Sequence, residues 1–195
     1  MKTLNVEDMI AGNFERHAGI CVLMPALTPH IVRAAGLMVQ SLESGGRILF
    51  CGNGGSASDA QHMAAELSGR YLLNRPALDA EALHCNTSAL TAIANDFGYE
   101  TVFSRQVEAH GRPGDTLVAL STSGGSANVV RAAAAAREKE MFVVAMTGER
   151  PSRLGQLSHV LLAVPSLETP RIQEMHILVG HTLCEIIEKS LFSRD

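Results

Sequence analysis

The sequence has few aromatic residues, no closely spaced cysteines and no cluster of basic residues. Aromatic residues make up 4% of the 195 residues, and tryptophan is absent. The 46% hydrophobic content is therefore mostly aliphatic, which is typical of helices packed on a buried sheet. A chain of this length can bury a core of its own and is interpreted as a single compact unit.

The spacing of the cysteines and the balance of charge exclude several classes of protein. No C-x-x-C motif is present, which argues against a zinc-finger framework and a thioredoxin-type redox pair. Twenty acidic and 16 basic residues give a formal net charge of −4. Because no Lys/Arg cluster stands out from this background, nucleic acid is not expected to be the main partner.

The sequence shows no uninterrupted apolar run of about 18 residues, the length that a membrane span requires. Residues 1–19 carry acidic residues and an Arg-His pair in place of the apolar core of a signal peptide. We therefore expect a cytoplasmic protein that does not contact the membrane.

Strands and helices are predicted to alternate along most of the chain. A long final helix is predicted at residues 169–192, and the composition of residues 95–98 predicts a turn. Strands are predicted at residues 48–51, 81–85, 116–120, 141–146 and 159–164. This alternation indicates an α/β fold with a doubly wound, five-stranded parallel sheet flanked by helices, whose ligands bind outside the carboxyl ends of the strands.

Two helices, at residues 5–27 and 30–44, are predicted before the first strand. Prolines mark the break between them, and Gly45-Gly46 ends the second. Either the two helices form a subunit contact or they cover the chain's own sheet. We divide the chain into an N-terminal helical extension for subunit contact (1–46) and an α/β domain that includes the long C-terminal helix (47–195).

The segment 48–67 combines a buried strand, a glycine-rich loop and the start of a helix. Glycines at 52, 54 and 55 let the backbone approach a ligand, and the free N–H groups of a helix start favour an anion, most often phosphate. The loop also fits the dinucleotide fingerprint G-x-G-x-x-A. However, the next predicted strand ends in His84-Cys85-Asn86, without the carboxylate that would hold a ribose.

A second polar loop follows the strand at residues 116–120 and opens another helix. Its hydroxyl side chains belong to Ser121, Thr122, Ser123 and Ser126. Hydroxyls and oriented backbone dipoles can bind phosphate without a Lys or Arg. The alternative is an ordinary serine-rich turn with one capping hydroxyl. The position directly after a buried strand favours a site for a compact phosphate monoester.

Two helices carry polar side chains that can enter one pocket. His62 and Glu66 are four residues apart after the glycine loop, so they share a helix face, where they could also be a simple surface pair. The C-terminal helix adds polar residues to an apolar background where a lone histidine would usually belong to the core: Gln173, Glu174, His176 and His181. Two such clusters together indicate a site.

Five segments resemble, in order and in residue type, the phosphoheptose isomerases of the sugar-isomerase (SIS) family. These segments are residues 52–62, 94–96, 121–124, 126–128 and 171–176. The resemblance implies a SIS domain with a flavodoxin-like three-layer sandwich that assembles as a homotetramer. It also implies conversion of D-sedoheptulose 7-phosphate to D-glycero-D-manno-heptose 7-phosphate, the first step toward activated heptose for lipopolysaccharide.

The resemblance also implies roles for individual residues. Glu66 and His181 match the catalytic pair. Residues that match the sugar-phosphate contacts are Asn53, Gly54, Gly55, Ser56, Asn95, Asp96, Ser121, Thr122, Ser123, Ser126 and Gln173. Residues that match the zinc ligands of some members are His62, Glu66, Gln173 and His181. Zinc is therefore expected as the cofactor, with one ion per subunit or none in some preparations.

The residue types fit isomerisation through an enediol. The reaction takes a proton from the carbon next to a carbonyl and returns one to the neighbouring carbon. A carboxylate whose pKa is raised by partial burial suits the first task, and an imidazole can exchange protons with the oxygens. We therefore predict that Glu66 is the base and His181 the acid, although a divalent metal could instead polarise the carbonyl.

The spacing of Gln173 and His181 creates a geometric difficulty. Eight residues of a continuous helix rise by about 12 Å, so one ion would be hard for both side chains to reach. Either the helix is distorted near Gln173, or the site collects side chains from more than one subunit. The second possibility fits the tetrameric habit of the family.

The sequence departs from the family pattern at two places. Gly125 stands where many members carry Asn, and residues 147–151 replace the usual glycine-rich turn. A related branch that associates with a replication initiator lacks the equivalents of Glu66 and His181. The alternative to an isomerase is a non-catalytic SIS module that binds a sugar phosphate or a replication-initiator protein. The anomer of the product and the downstream ADP- or GDP-heptose pathway stay open.

Overall fold

A computed structural model describes residues 5–193, and the predicted strands form one sheet in this range. The strands are β1 (Ile48–Cys51), β2 (Ala80–Ala82), β3 (Thr116–Leu120), β4 (Phe142–Gly148) and β5 (Val160–Val164). The sheet has the order β2-β1-β3-β4-β5, and every neighbouring pair is parallel. The connections that leave β1 and β3 therefore run in opposite directions along the sheet, and the boundary between these two strands is the switch point of a flavodoxin-like sheet.

Helices connect the strands and cover both faces of the sheet. They are α1 (Val6–Leu23), α2 (Thr28–Glu43), α3 (Gly55–Ser68), α4 (Thr87–Phe97), α5 (Ser104–His110), α6 (Ala127–Glu138), α7 (Arg153–Leu157) and α8 (Thr169–Phe192). Short 3₁₀ turns at Met24–Leu27 and Tyr99–Thr101 join α1 to α2 and α4 to α5.

The side chains of each strand divide between two hydrophobic cores because successive residues of a strand point to opposite faces. Ile48 and Phe50 of β1 pack on one side with α2, α3 and α8. Leu49 and Cys51 pack on the other side with α5, α6 and α7. All four residues are fully buried. The prediction of a five-stranded parallel sheet between two helical layers is confirmed.

Two sequence-based boundaries were wrong. The turn predicted at residues 95–98 is the last part of α4, which continues through Phe97 and ends at Gly98 with a φ of 88°. The turn preference of Asn and Asp is outweighed here because the positive φ that ends the helix falls on the glycine. The second strand covers Ala80–Ala82 rather than residues 81–85, since it is a short edge strand paired only with β1.

The two N-terminal helices play different roles. α2 covers the chain's own sheet and buries Ala34, Ala35 and Met38 in the core. α1 contacts α8 but buries none of its own residues. The alternative that the helices cover the sheet therefore applies to α2, whereas α1 leaves an apolar surface open. Residues 1–4 of the predicted extension lie outside the described residues.

One apolar stretch, Val6–Glu43, has the length and composition of a membrane span. The expectation from the sequence concerned an uninterrupted apolar run, which this stretch does not contain. The mean hydropathy of an 18-residue window can be high even when the window contains isolated polar residues such as Thr28, whereas an uninterrupted apolar run contains none. Core helices of soluble proteins and signal sequences have the same length and composition. A 3₁₀ turn with Pro25 also divides this stretch, and its second half packs into the core.

His176 on α8 is a fully buried histidine outside the two polar loops. Its Nε2 atom lies 3.2 Å from the carbonyl oxygen of Thr147 at the end of β4. Burial lowers the pKa of His176 to about 4, although the hydrogen bond to Thr147 raises it slightly. The unfolded chain has the ordinary histidine pKa near 6.5 and therefore binds a proton at a higher pH than the folded chain. Acid consequently favours the unfolded state.

We expect the free energy of unfolding to decrease by about 3 kcal/mol through His176 as the pH falls from 6.5 to 4, and to level off below that range. Urea unfolding at a series of pH values measures this loss. The variant His176→Gln keeps a donor for Thr147 without a titratable group, so its unfolding free energy should change less over the same range. Equal pH dependence in the two proteins would contradict the assignment.

Candidate active site

The glycine loop after β1 and the serine loop after β3 lie side by side, because β1 and β3 are parallel neighbours whose last residues are in register. A cleft of about 320 Å³ lies between them and the start of α8. Its lining consists of Asn53, Gly54, Gly55, Ser56, Leu120, Ser121, Thr122, Ser126, Thr169 and Gln173. Eight of the predicted sugar-phosphate residues thus line one cleft, whose volume suits a small molecule.

Two glycines allow the glycine loop to take this shape. Gly54 has a φ of 55° and stands at the N-cap of α3, where no side chain caps the helix. A Cβ on Gly55 would lie 2.5 Å from Nε2 of Gln173, so the missing side chain lets this carboxamide reach the loop. The N–H end of α3 therefore stays available to an anion in the cleft.

The serine loop gathers hydroxyl groups at the start of α6. The Oγ atom of Ser121 lies 3.0 Å from that of Ser126 and 3.5 Å from that of Ser123. Ser126 is the N-cap residue of α6, yet its side chain makes no capping hydrogen bond. The alternative of a serine-rich turn with one capping hydroxyl is therefore wrong. The hydroxyls and the uncapped N-terminus of α6 together present hydrogen-bond donors of the kind that phosphate oxygens accept.

Ser123 has a different environment from the other serines of the loop. Its Oγ accepts a hydrogen bond of 3.2 Å from the backbone N–H of Gly125, and the residue lines an adjoining pocket rather than the cleft. The position of a Cβ on Gly125 is free apart from an ordinary contact with this hydroxyl. The glycine in place of the family's usual Asn therefore leaves an open space at the loop surface.

Asn128 joins the two loops and was assigned no role from the sequence. The side chains of Asn53 and Asn128 exchange two hydrogen bonds, of 2.9 and 2.8 Å. Asn128 is 3% exposed, and its carboxamide oxygen also accepts the N–H of Val129. The hydroxyl of Tyr99 donates to Asn53 at 3.1 Å. The only sequence signal for this residue was its position in the family-like segment 126–128.

The titratable residues predicted on α3 and α8 converge in space. Nε2 of His62 lies 2.9 Å from Nε2 of His181 and 3.2 Å from Oε1 of Glu66. One nitrogen or oxygen of each side chain lies within 4.8 Å of the others. Imidazole nitrogens and a carboxylate oxygen are the donors that Zn²⁺ prefers besides thiolates. The structure therefore brings together the predicted catalytic pair and three of the predicted zinc ligands.

Asp59 adds a further carboxyl group to this part of α3. One of its oxygens is buried without a hydrogen-bond partner among the described residues. Burial raises the pKa of Asp59 to about 6, although the nearby His62 lowers it. Asp59 was assigned no role from the sequence, and its only sequence signal was its position in the family-like segment 52–62.

Three predicted site residues lie apart from these groups within one chain. α8 is an unbroken helix from Thr169 to Phe192, so Gln173 lies about two turns from His181 and the proposed distortion is absent. Asn95 and Asp96 do not line the cleft; they bond to each other at 2.8 Å on the exposed part of α4. The single chain therefore places Gln173 in the cleft but does not place Asn95 or Asp96 there.

A family model agrees with this fold and arrangement of loops. The SIS domain model matches residues 20–148, which is more than half of the chain. The chain therefore belongs to the SIS domain family.

The most similar relatives belong to one branch of this family. The phosphoheptose isomerase of Rhodospirillum rubrum is 52% identical over 96% of this chain and 100% of its own length, and that of Helicobacter hepaticus is 50% identical over 94% and 93%. The solved phosphoheptose isomerase GmhA of Neisseria gonorrhoeae has a TM-score of 0.90 and 46% identity over 95% of this chain and 100% of its own. Within the SIS family, the chain belongs with the phosphoheptose isomerases.

Proposed function

We propose that the chain is an aldose-ketose isomerase that converts D-sedoheptulose 7-phosphate to D-glycero-D-manno-heptose 7-phosphate, the first step of activated heptose biosynthesis. Identity of 52% to a phosphoheptose isomerase over 96% of the chain supports this activity. The observation that carries the assignment is the convergence of Glu66 and His181 on the same two helices, α3 and α8, that line the cleft.

The separation between cleft and titratable cluster suits a long sugar phosphate. The substrate carries its phosphate on C7 and reacts at C1 and C2, at the other end of the carbon chain. Gly55 lines the cleft and His62 belongs to the cluster, about 10 Å further along α3. One end of these helices can therefore hold the phosphate while the next turns act on the carbonyl end.

Neutral groups hold the phosphate. None of the residues lining the cleft is Lys or Arg. The hydroxyls of Ser121, Thr122 and Ser126 donate hydrogen bonds, and the N-termini of α3 and α6 add their positive dipole ends. The phosphate is thereby fixed at the switch point of the sheet, and the sugar chain is oriented from that point.

The reaction transfers protons between two carbons and two oxygens. Glu66 removes a hydrogen from C1 as a proton while the C2 oxygen gains one, which gives the enediol. Return of a proton to C2 and loss of the O1 proton complete the aldose. Glu66 is partly buried, as a carboxylate base needs to be, and His181 moves protons at the oxygens. A proton transfer of this kind contributes about 10²–10⁴ to the rate.

We propose Zn²⁺ as the cofactor, held by His62, Glu66 and His181. Their convergent nitrogen and oxygen atoms fit the donor set of this ion. When bound, the ion would supply Lewis-acid polarisation of the substrate carbonyl. It would use one donor atom of each side chain, so the second carboxylate oxygen of Glu66 and the second ring nitrogen of His181 would stay free for proton transfer. Gln173 stays the predicted fourth ligand, and its distance from His181 along α8 requires that it come from another subunit.

The non-catalytic alternative has less support. A module that only binds a sugar phosphate or a protein needs the cleft but has no use for a base and an imidazole beside it. Glu66 and His181 are both present and converge with His62. This arrangement favours the isomerase.

The variant Glu66→Gln is expected to lower turnover by about 10²–10⁴, because it removes the base but keeps the size and polarity of the side chain. Binding of sedoheptulose 7-phosphate, measured by calorimetry, should change little. The control Glu138→Gln, on the exposed face of α6, should retain full activity. Full activity of Glu66→Gln would remove this residue from the mechanism.

Removal of metal by dialysis against a chelator is expected to lower activity more than about tenfold, and added Zn²⁺ should restore it. Calorimetric titration with Zn²⁺ should show that His62→Ala weakens binding by about tenfold or more, since one ligand is lost. His110→Ala, at the exposed end of α5, serves as the control. Unchanged activity of metal-free protein would reduce the ion to an accessory.

We propose that the protein is a cytoplasmic homotetramer. α1 buries none of its residues and exposes an apolar surface formed by Val6, Met9, Ile10, Phe14, Val22 and Leu23. A surface of this kind marks a contact site, and a second copy of the chain is the partner proposed here. The same assembly would bring Gln173 of one chain to the cluster of another.

Native mass spectrometry is expected to show four chains per particle. The variant Phe14→Glu should shift the protein toward smaller species, because it places a charge on the apolar surface of α1. The neighbouring change Glu15→Gln should leave the assembly intact. A monomeric wild-type protein at micromolar concentration would contradict the proposal.

A further inference from the structure

The connection between α3 and β2 is organised by a buried ion pair that spans two helical elements. Nε of Arg75 lies 3.0 Å from Oε1 of Glu188 on α8, and both side chains are 1% exposed. The carboxylate of Glu188 also accepts the backbone N–H groups of Tyr71, Leu72 and Leu73, at 3.0, 2.7 and 2.7 Å. These bonds lower the pKa of Glu188 although burial alone would raise it, so the group stays ionised.

The other end of this ion pair holds the end of α3. Guanidinium nitrogens of Arg75 donate to the carbonyl oxygens of Glu66 at 2.8 Å and of Leu67 at 2.7 Å. The turn of α3 that carries the proposed base is therefore bonded to Arg75, which is in turn bonded to Glu188. Glu188 stands two helical turns after His181 on the same helix, α8. The Arg75–Glu188 pair therefore connects the helix that carries His181 to the turn of α3 that carries Glu66.

Tyr71, whose backbone is bonded to Glu188, contacts the imidazole of His181 through its ring. The two rings are stacked, with centroids 5.6 Å apart and planes inclined by 28°. His181 also meets the ring of His62 edge to face, with the ring centroids 5.0 Å apart. The backbone N–H of Tyr71 is bonded to Glu188, so the tyrosine is fixed to the helix whose histidine it covers. The imidazole of His181 thus contacts two rings, those of Tyr71 and His62.

We propose that Tyr71, fixed by the Glu188–Arg75 pair, is a positioning residue that holds the imidazole of His181 toward His62 and Glu66 during isomerisation. The inference rests on the isomerase function proposed above. A buried ion pair adds little net stability after desolvation, so we assign this pair a role in the local geometry. Precise placement matters, because a displacement of about 1 Å at a reacting group costs about 10² in rate.

The ring, rather than the hydroxyl, of Tyr71 makes the contact with His181. Tyr71→Leu removes the flat face but keeps an apolar side chain, whereas Tyr71→Phe keeps the face and serves as the matched control. Both variants leave the backbone bond to Glu188 in place. The two variants therefore test the stacking contact with His181 alone, without changing the hydrogen bonds that hold the segment between α3 and β2.

Two rates measured in deuterium oxide distinguish positioning from general loss of structure. Deuterium uptake at C1 of recovered sedoheptulose 7-phosphate requires formation of the enediol, exchange of the abstracted proton with solvent deuterium, and reversal. Aldose formation in addition requires loss of the O1 proton and protonation at C2. A displaced His181 should slow the second process more than the first. The ratio of the two rates does not depend on the amount of folded enzyme.

We expect Tyr71→Leu to lower aldose formation by about tenfold, to raise the ratio of exchange to aldose formation, and to change KM less than about twofold. Tyr71→Phe should match the wild type in both rates. An unchanged ratio in Tyr71→Leu, or equal defects in the Leu and Phe variants, would overturn the inference. A wild-type protein that neither exchanges C1 nor forms aldose would overturn the isomerase itself, and the inference with it.

Discussion

The parallel pairing of β1 with β3 is the constraint on which the site depends. Ile48 pairs with Thr116 and Cys51 with Ala119, so both strands end at the same edge of the sheet. The chain then leaves β1 and β3 for the opposite faces covered by α3 and α6. Two helix N-termini and two polar loops consequently meet at one point, which is where doubly wound folds bind their ligands.

This geometry separates recognition of the phosphate from proton transfer. The cleft uses hydroxyls and backbone dipoles and contains no cationic side chain among the residues that line it. The titratable groups gather further along α3 and α8, where His62, Glu66 and His181 converge. The charge of a neighbouring phosphate would disfavour the ionised form of a carboxyl group, which is the form that acts as a base.

A single chain carries most, but not all, of the proposed site. Gln173 reaches the cleft while α8 keeps it away from His181, and Asn95 and Asp96 lie on the exposed part of α4. The unburied apolar surface of α1 is a second unsatisfied feature of the isolated chain. Association of identical chains would account for the incomplete site and for the exposed apolar surface, because one assembly can bury α1 and complete the site.

The sequence by itself determined the order of strands and helices, the two phosphate-type loops and the residue types for proton transfer. These features are encoded locally, in apolar runs, glycines and hydroxyls at helix starts, and in side chains four residues apart. The turn predicted at residues 95–98 failed because Asn and Asp preferences do not reveal that the helix ends only at Gly98. Only the tertiary structure decided that His181 meets His62 across 119 residues, that Asn128 joins the loops and that Tyr71 covers His181. Such contacts depend on strand order and on how α3 packs against α8, and no local pattern records either.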